Sequence, residues 1–244
     1  MNPHQQDPAQ APAGDTAEPL DRDQLAAVVA ADIAPGSVAN LGIGQPTRVA
    51  NHLAAEQDVT LHTENGMLGM GHEAVDDEID PDLVNAGKVP VTEAEGVSYF
   101  HHADSFAMMR GGHIDVCVLG AYQVSVGGDL ANWHTGDPEA IPSVGGAMDL
   151  AVGAQRTWVM MKLFTKDGQA KLVEALSYPA TGLGCVSRVY TEYAVFDIEP
   201  GRSGGDGAAD DGGREPTVRV RSVHGVDREQ LAAWLPATVE CGER

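Results

Sequence analysis

Leu61-His-Thr-Glu-Asn-Gly-Met-Leu-Gly-Met-Gly71 decides how this chain is read. The apolar run Val59 to Leu61 predicts a strand, the pair Asn65-Gly66 a turn, and Glu64 is the one carboxylate between them. A side chain at a strand end is held by the sheet. Glycines at 66, 69 and 71 then let backbone or ligand approach with no Cβ in the way, a good seat for a nucleophile. An isolated Glu-Asn-Gly is ordinarily a solvated turn, so the residues around it have to carry the functional reading.

Upstream, Asp21 to Gln24 has capping-box spacing, and Leu25, Val28, Val29 and Ile33 fall on one helical face that Pro35-Gly36 ends. Ser37 to Leu41 predicts a strand and Gly42-Ile-Gly44 a turn, and Pro46 opens a second helix running to about Glu56. Strand, helix, strand is the signature of a parallel βαβ unit, in which ligands collect at the carboxyl ends of the strands. Glu64 is at such an end.

Downstream, residues 71–95 are acidic and irregular and predict a long surface excursion; Asp76, Asp77, Glu78, Asp80 and Asp82 lack EF-hand spacing and read as solvated. Ser105 to Arg110 predicts a short helix, and Ile114 to Leu119 a strand buried on both faces. Gly120 to Trp133 combines a short strand with a glycine turn, either an ordinary hairpin or, through polar groups such as Gln123, part of a cleft wall. Ser143 to Asp149 leads into a helix; backbone N–H groups at Gly145 and Gly146 would be free there to cradle an oxyanion. Strands follow at Thr157 to Met161, Lys171 to Val173, Ala194 to Ile198 and Thr217 to Val223, and Asp227 to Leu235 predicts a closing helix. Residues 1–20 read as a disordered leader and 199–216 as a flexible acidic loop, leaving 21–244 as a single α/β domain.

A formal charge of −21 over 244 residues argues against nucleic acid and anionic membrane as partners. Cys117, Cys185 and Cys241, odd in number and widely spaced, predict reduced thiols in a cytoplasmic protein. No apolar run approaches the ~20 residues of a membrane span, and the N-terminus has neither the basic start nor the apolar core of a signal peptide. Metal binding is not expected: His62, His72, His101, His102 and His113 include no pair spaced for ligation beside a carboxylate, and Cys-x-x-Cys is missing. Gly-x-Gly-x-x-Gly is also missing. What remains is a carboxylate on a glycine-bordered strand end. Removed from bulk water yet kept ionised by fixed dipoles, it could attack an activated carbonyl such as a thioester, with Gly145 and Gly146 as oxyanion donors. It could equally act as a general base, as in a sugar-phosphate isomerase.

Six blocks in colinear order, Asn40-Leu-Gly-Ile-Gly44, Thr63-Glu-Asn-Gly66, Arg110-Gly-Gly-His-Ile-Asp115, Leu119 to Trp133, Val144-Gly-Gly-Ala-Met-Asp-Leu150 and Tyr190-Thr-Glu-Tyr-Ala-Val195, together resemble the B (beta) subunit of family I 3-oxoacid CoA-transferases. The resemblance covers about residues 21–198 and implies an open, mostly parallel α/β sheet with flanking helices, a fold shared with some sugar-phosphate isomerases. It implies that Glu64 is the nucleophile and that Gly145, Gly146 and Ala147 supply backbone donors to the oxyanion and coenzyme A. Asn65, Gly66, Asn40, Gly42, Gly44 and Gln123 are then candidates to line the cleft. No permanently bound cofactor is implied: coenzyme A enters as substrate and as a covalent glutamyl thioester in a ping-pong cycle that starts from succinyl-CoA. A separate A subunit is implied, in an A2B2 or higher heteromer. Lys162-Leu-Phe164, where many acetoacetate-type members carry Glu-His, together with Gly44-Gln-Pro-Thr47, is more similar to the 3-oxoadipate branch. An acetoacetate or acetate-type transferase and an isomerase-like enzyme are the alternatives.

Overall fold

The computed structural model describes residues 15–139, 141–143, 145–199 and 215–241. Helix α1 (Arg22–Asp32) begins where the sequence predicts. The Asp21 carboxylate accepts from the N–H groups of Asp23 and Gln24 at 2.9 and 2.8 Å, and the Gln24 side chain accepts from the Asp21 N–H at 2.9 Å. Strand β1 (Val38–Leu41) follows, then β2 (Thr60–Thr63). The connection between them is two 3-10 segments, Gln45–His52 and Ala55–Gln57, rather than the single helix expected from Pro46 to Glu56. Gln57 explains the break: its oxygen accepts from the Ala54 N–H while its amide donates to the Ala30 and Ile33 carbonyls at the end of α1. A tertiary anchor thus overrides helix propensity.

The irregular excursion expected over residues 71–95 holds for 74–90 but not for its two flanks. Strands β3 (Met67–Glu73) and β4 (Val91–Tyr99) form an antiparallel pair whose ends lie within that range. Glycines weaken the strand signal here yet are needed for the pairing: a Cβ on Gly71 would lie 2.3 Å from the Thr92 hydroxyl. Helix α2 (His102–Arg110) leads to β5 (Val116–Leu119), and β6 (Gln123–Ser125) and β7 (Leu130–Ala131) form a hairpin. Then come α3 (Ala147–Gly153), β8 (Thr157–Met160), β9 (Leu172–Val173), β10 (Val186–Tyr190), β11 (Ala194–Glu199), β12 (Thr217–Val223), α4 (Arg228–Trp234) and β13 (Val239–Glu240).

Among the described residues ten strands form one sheet in the order β13-β12-β11-β10-β8-β5-β1-β2-β3-β4, and β7-β6-β9 form a second, small one. The middle of the large sheet, β10-β8-β5-β1-β2, is parallel throughout; β3 and β4 extend it antiparallel on one side, β11 and β12 on the other. Strand β5 shows why its sequence is apolar at every position. Val116 and Val118 pack into the core on the α1 side with Leu25, Val29, Trp158 and Tyr190, whereas Cys117 and Leu119 pack with Met109, Leu150 and the small sheet on the other.

At the core margin on the α1 side, a charged cluster is built on Arg188. Its guanidinium donates to Asp197 at 2.5 Å and to Asp32 at 3.0 Å and lies 5.3 Å from the centre of the Trp158 ring; Asp32 also accepts from the Tyr190 hydroxyl at 2.9 Å. Removing this cation leaves two carboxylates, at 20% and 30% exposure, with only the more distant Arg221 guanidinium at 3.6 and 3.8 Å to offset them. Arg188→Leu is therefore expected to lower stability by about 2–4 kcal/mol in a chemical denaturation curve, since it breaks a hydrogen-bonded charge cluster without replacing its partners.

Residues 15–20, which composition assigns to a disordered leader, run beside β12. The Thr16 N–H donates to the Val223 carbonyl at 2.9 Å, the Val223 N–H donates to the Asp15 carboxylate at 2.7 Å, and Leu20 is buried. The rest of the leader, residues 1–14, lies outside the described residues, as do residues 200–214 of the expected flexible loop. Strands β10 and β13 had no counterpart in the sequence reading; both are short, at five and two residues. No helix among the described residues is long and apolar enough to cross a membrane.

Candidate active site

All five parallel strands present their carboxyl ends along one edge of the sheet. Chain order reverses at β1, which pairs with β2 on one side and β5 on the other, and such a reversal opens a crevice. Gly42 to Gly44 leave β1 there, and Glu64 leaves β2.

Glu64 begins the β2–β3 turn, which is tied from three directions. The Gly66 N–H donates to the Thr63 carbonyl at 3.1 Å, the Met67 N–H to the Thr63 hydroxyl at 3.2 Å, and the Phe100 N–H to the Gly66 carbonyl at 3.0 Å. Gly66 has φ +115°, and a Cβ there would fall 2.2 Å from the Phe100 carbonyl oxygen. The turn thus requires glycine on both conformational and steric grounds, and it fixes the direction in which Glu64 leaves the strand.

Of the glycine pair predicted to serve as an oxyanion cradle, Gly146 lies beside the Glu64 side chain. A Cβ built on Gly146 would be 3.6 Å from Glu64 Cγ and 3.1 Å from the Phe106 ring, and one on Gly145 would meet nothing within 4 Å. Gly146 caps α3 and Ala147 is its first residue, so N–H groups of that first turn have no partner within the helix. Phe106, on α2, forms the wall between the two helices, with His102 edge-on at 5.2 Å. Arg110 and Asp149, paired at 2.6 Å, tie α2 to α3.

Glu64 is partly buried, and its pKa is raised because burial disfavours the charged form; its own backbone N–H and the Asn40 side chain, as hydrogen-bond donors, act in the opposite direction. No cation contributes to this balance or forms an ion pair with Glu64 among the described residues. Cys117, on the neighbouring β5, has its thiol pushed up to about 12, chiefly by burial and partly by the Glu64 charge, so it stays a neutral S–H. The three cysteines are free thiols. No group of three or more His, Cys, Asp or Glu among the described residues is arranged to hold a metal ion.

The other candidates divide. Asn40 is fully buried beside the site, and Gly42 is packed so tightly against β5 that a Cβ would lie 3.0 Å from the Val118 carbonyl oxygen. Gly44, at φ +97°, is exposed and has open space where its Cβ would be. Asn65 turns outward and donates to the Val84 carbonyl at 2.8 Å, anchoring the 76–90 loop. The Gln123 carboxamide is taken up by Ser177, accepting from its N–H at 2.9 Å and donating to its hydroxyl at 2.9 Å, and makes no contact with Glu64. Sequence reasoning missed Phe106 and the buried pair His62 and Ser105. Strand alternation places residues 62 and 64 on one face, a signal that was available for His62. Nothing local marks Ser105 or Phe106, which reach the site because α2 packs across β2.

A sequence profile described as coenzyme A transferase matches residues 22–206. The B subunit of the 3-oxoadipate CoA-transferase of Acinetobacter baylyi is 59% identical over 220 residues, 90% of this chain and 95% of that protein. A Bacillus subtilis protein, named as the probable B subunit of a succinyl-CoA:3-ketoacid coenzyme A transferase, is 47% identical over 171 residues, 70% of this chain and 79% of its own. Among solved structures, the acyl-CoA transferase YdiF of Escherichia coli O157:H7 superposes with a TM-score of 0.61 at 18% identity, over 92% of this chain and 42% of that one, a likeness of fold.

Proposed function

The chain belongs to the coenzyme A transferase family, and from that premise we propose that it is the B subunit of an enzyme moving coenzyme A from succinyl-CoA to a 3-oxoacid, with 3-oxoadipate as the acceptor. The observation that carries the reading is the seat of Glu64: one partly desolvated carboxylate at a parallel-strand end, against the backbone of Gly146 and with no cation paired to it among the described residues. Burial strips the carboxylate of the hydration that makes it a poor nucleophile in water, while its own backbone N–H and the Asn40 side chain offset part of the cost to the charged form. Attack on the thioester carbonyl forms the Glu64–acyl bond and expels coenzyme A thiolate. The thiolate returns to the glutamyl carbonyl, succinate leaves, and an enzyme-bound thioester remains. The acceptor carboxylate reverses the sequence, so the thioester bond is conserved. Gly146 and Ala147 are the donors we assign to the oxyanions.

Support for 3-oxoadipate comes from the relatives' names at 59% identity against 47%, and from Lys162-Leu-Phe164 standing where acetoacetate-type members carry Glu-His. Coupled assays of the assembled enzyme with succinyl-CoA and either 3-oxoadipate or acetoacetate test it; a higher kcat/KM for acetoacetate would reverse the assignment. Three free thiols and no membrane-spanning helix among the described residues fit a reducing, cytoplasmic setting.

Both relatives are named as B subunits, and we place an A subunit over the crevice mouth to supply the cations that Glu64 and an anionic substrate lack here. An apolar face suited to it exists beside the site. Met148 and Val152, one turn apart on α3, are 50% and 73% exposed, and Leu183, 75% exposed, follows Gly182, which packs on Ala151. Met148→Asp with Val152→Asp should abolish co-purification with the A subunit while leaving the melting temperature of the isolated chain within about 2 °C, as for other exposed sites. Light scattering on the parental complex reports its stoichiometry, for which A2B2 is the expectation.

A further inference from the structure

Asn65 stands in the turn beside the nucleophile, yet the turn does not need it. Asparagine is favoured before glycine where the backbone must be left-handed, and among the described residues only Asp58, Asp76 and Lys88 have positive φ without being glycine. Asn65 therefore serves through its side chain. Its amide donates to the Val84 carbonyl, 2.8 Å away and 19 residues on, and the side chain has no other hydrogen-bond partner among the described residues. The receiving loop is built to hold a shape. The Val91 N–H donates to the Leu83 carbonyl at 3.2 Å and the Asn85 N–H to the Val89 carbonyl at 2.9 Å, which closes residues 83–91 into a narrow loop. At its tip the Asn85 side chain, 7% exposed, accepts from the Gly87 and Val89 N–H groups at 2.8 and 3.1 Å. Between those two residues Lys88 is held at φ +63°, which a residue with a Cβ adopts only where its surroundings impose it. The tip also has a second foot: a Cβ built on Gly87 would lie 3.6 Å from Ile43 Cγ2, ordinary van der Waals contact. Ile43 is one residue past Gly42 on the exit of β1, and Asn65 one past Glu64 on the exit of β2. Asn40 pairs with His62 in the register of these two parallel strands, so Gly42 and Glu64 leave the sheet level with each other. The loop thus steps across the carboxyl ends of β1 and β2, with a foot beside the nucleophile.

We propose that Asn65 is a positioning residue, which together with Ile43 seats the 83–91 loop across the β1–β2 side of the crevice, where the loop keeps water from the thioester formed on Glu64. The proposal rests on the reading of Glu64 as nucleophile. Once succinate has left, the glutamyl thioester has two fates. An acceptor carboxylate carries coenzyme A forward by transfer. Water attacking the same carbonyl instead breaks the C–S bond, regenerates the Glu64 carboxylate and releases coenzyme A as the thiol with one proton, so the donor is wasted. Phe106 and the Gly146 backbone stand on the α2–α3 face of Glu64, and the loop guards the side on which the strands end.

The test uses the chain assembled with its A subunit and succinyl-CoA as donor. Release of free thiol without acceptor reads hydrolysis, and acyl-CoA formed from 3-oxoadipate, or from acetoacetate if the parent prefers it, reads transfer. Hydrogen exchange across residues 83–91 reads how firmly the loop is held. Asn65→Ala should speed that exchange and raise hydrolysis relative to transfer roughly tenfold, the factor that one hydrogen bond puts on an open–closed equilibrium. Asn65→Gln, whose longer amide can still donate, should stay closer to the parent, and Ile43→Ala, at the other foot, should act in the same direction as Asn65→Ala. Both positions are exposed, so neither change opens the core. Faster exchange in Asn65→Ala and Ile43→Ala with an unmoved ratio of hydrolysis to transfer overturns the loop as a water barrier, and unmoved exchange overturns Asn65 as its seat. Trapping of acyl-Glu64 with hydroxylamine, run in parallel on the parental complex, separates the two readings: no adduct there refutes the nucleophile itself, and an adduct with an unmoved ratio refutes only the part given to Asn65.

Discussion

Glu64→Gln is expected to abolish coenzyme A transfer in the assembled enzyme, by on the order of 10⁴-fold or more in kcat, the scale on which loss of a covalent nucleophile is felt. The change is nearly isosteric, leaves the Gly66 turn untouched and removes only the ability to form an acyl bond. Incubation with succinyl-CoA followed by hydroxylamine or borohydride should mark one peptide in the parent, the one containing residues 61–71, and none in the variant. Turnover at the parental rate would sink the proposed mechanism. The same variant carries a stability signature. Because the Glu64 pKa is raised in the folded chain, protonated Glu64 favours folding, and that contribution is lost as pH rises through the folded-state value. Glu64→Gln should therefore melt above the parent at neutral pH, with the gap closing as pH falls below the ordinary carboxylate range. A variant less stable than the parent at pH 7 would mean that the carboxylate is held by more than Asn40 and its own backbone.

Gly66→Ala should be the most damaging single-methyl change near the site. It combines a φ of +115°, which L side chains rarely adopt, with a contact of 2.2 Å to a backbone oxygen that cannot swing aside. A loss of about 3 kcal/mol or more is expected, corresponding to roughly 6–12 °C in Tm for a chain of this size. Any folded fraction should also be slow, because relief of the clash shifts the turn from which Glu64 projects. Gly44→Ala is the control: its φ is +97° but its Cβ would meet open space, so only the backbone strain of about 1 kcal/mol applies. Equal losses for the two would show that contact with Phe100 is not what the glycine at 66 serves.

Much of the architecture was legible because it is written in local pattern. The capping residues Asp21 and Gln24, the two-faced apolar run of β5, and the strand-end position of Glu64 each follow from spacing, and each is where spacing put it. What could not be read depends on distant partners. Gln57 breaks a helix because the end of α1 offers it two carbonyls, and β3 and β4 pair through glycines that by composition signal a loop. In the site, Glu64, Gly145 and Gly146 were singled out from sequence, and Gly146 lies beside the Glu64 side chain, whereas the side chains of Gln123 and Asn65, named as cleft-lining candidates, are hydrogen-bonded to Ser177 and Val84. His62 escaped notice. One histidine among nine is an ordinary residue until Ser105 and Asn40 are seen on either side of it.

The strip formed by residues 15–20 also constrains how the molecule comes into being. Asp15 and Thr16 are bonded to Val223 and His224 across 208 positions of chain, so these two residues cannot settle until β12 has emerged from the ribosome. The contacts of α1, β1 and β2 are far closer in sequence and are available long before that. Synthesis therefore holds residues 15 and 16 in waiting, and the seam between them and β12 closes later than the contacts of α1, β1 and β2.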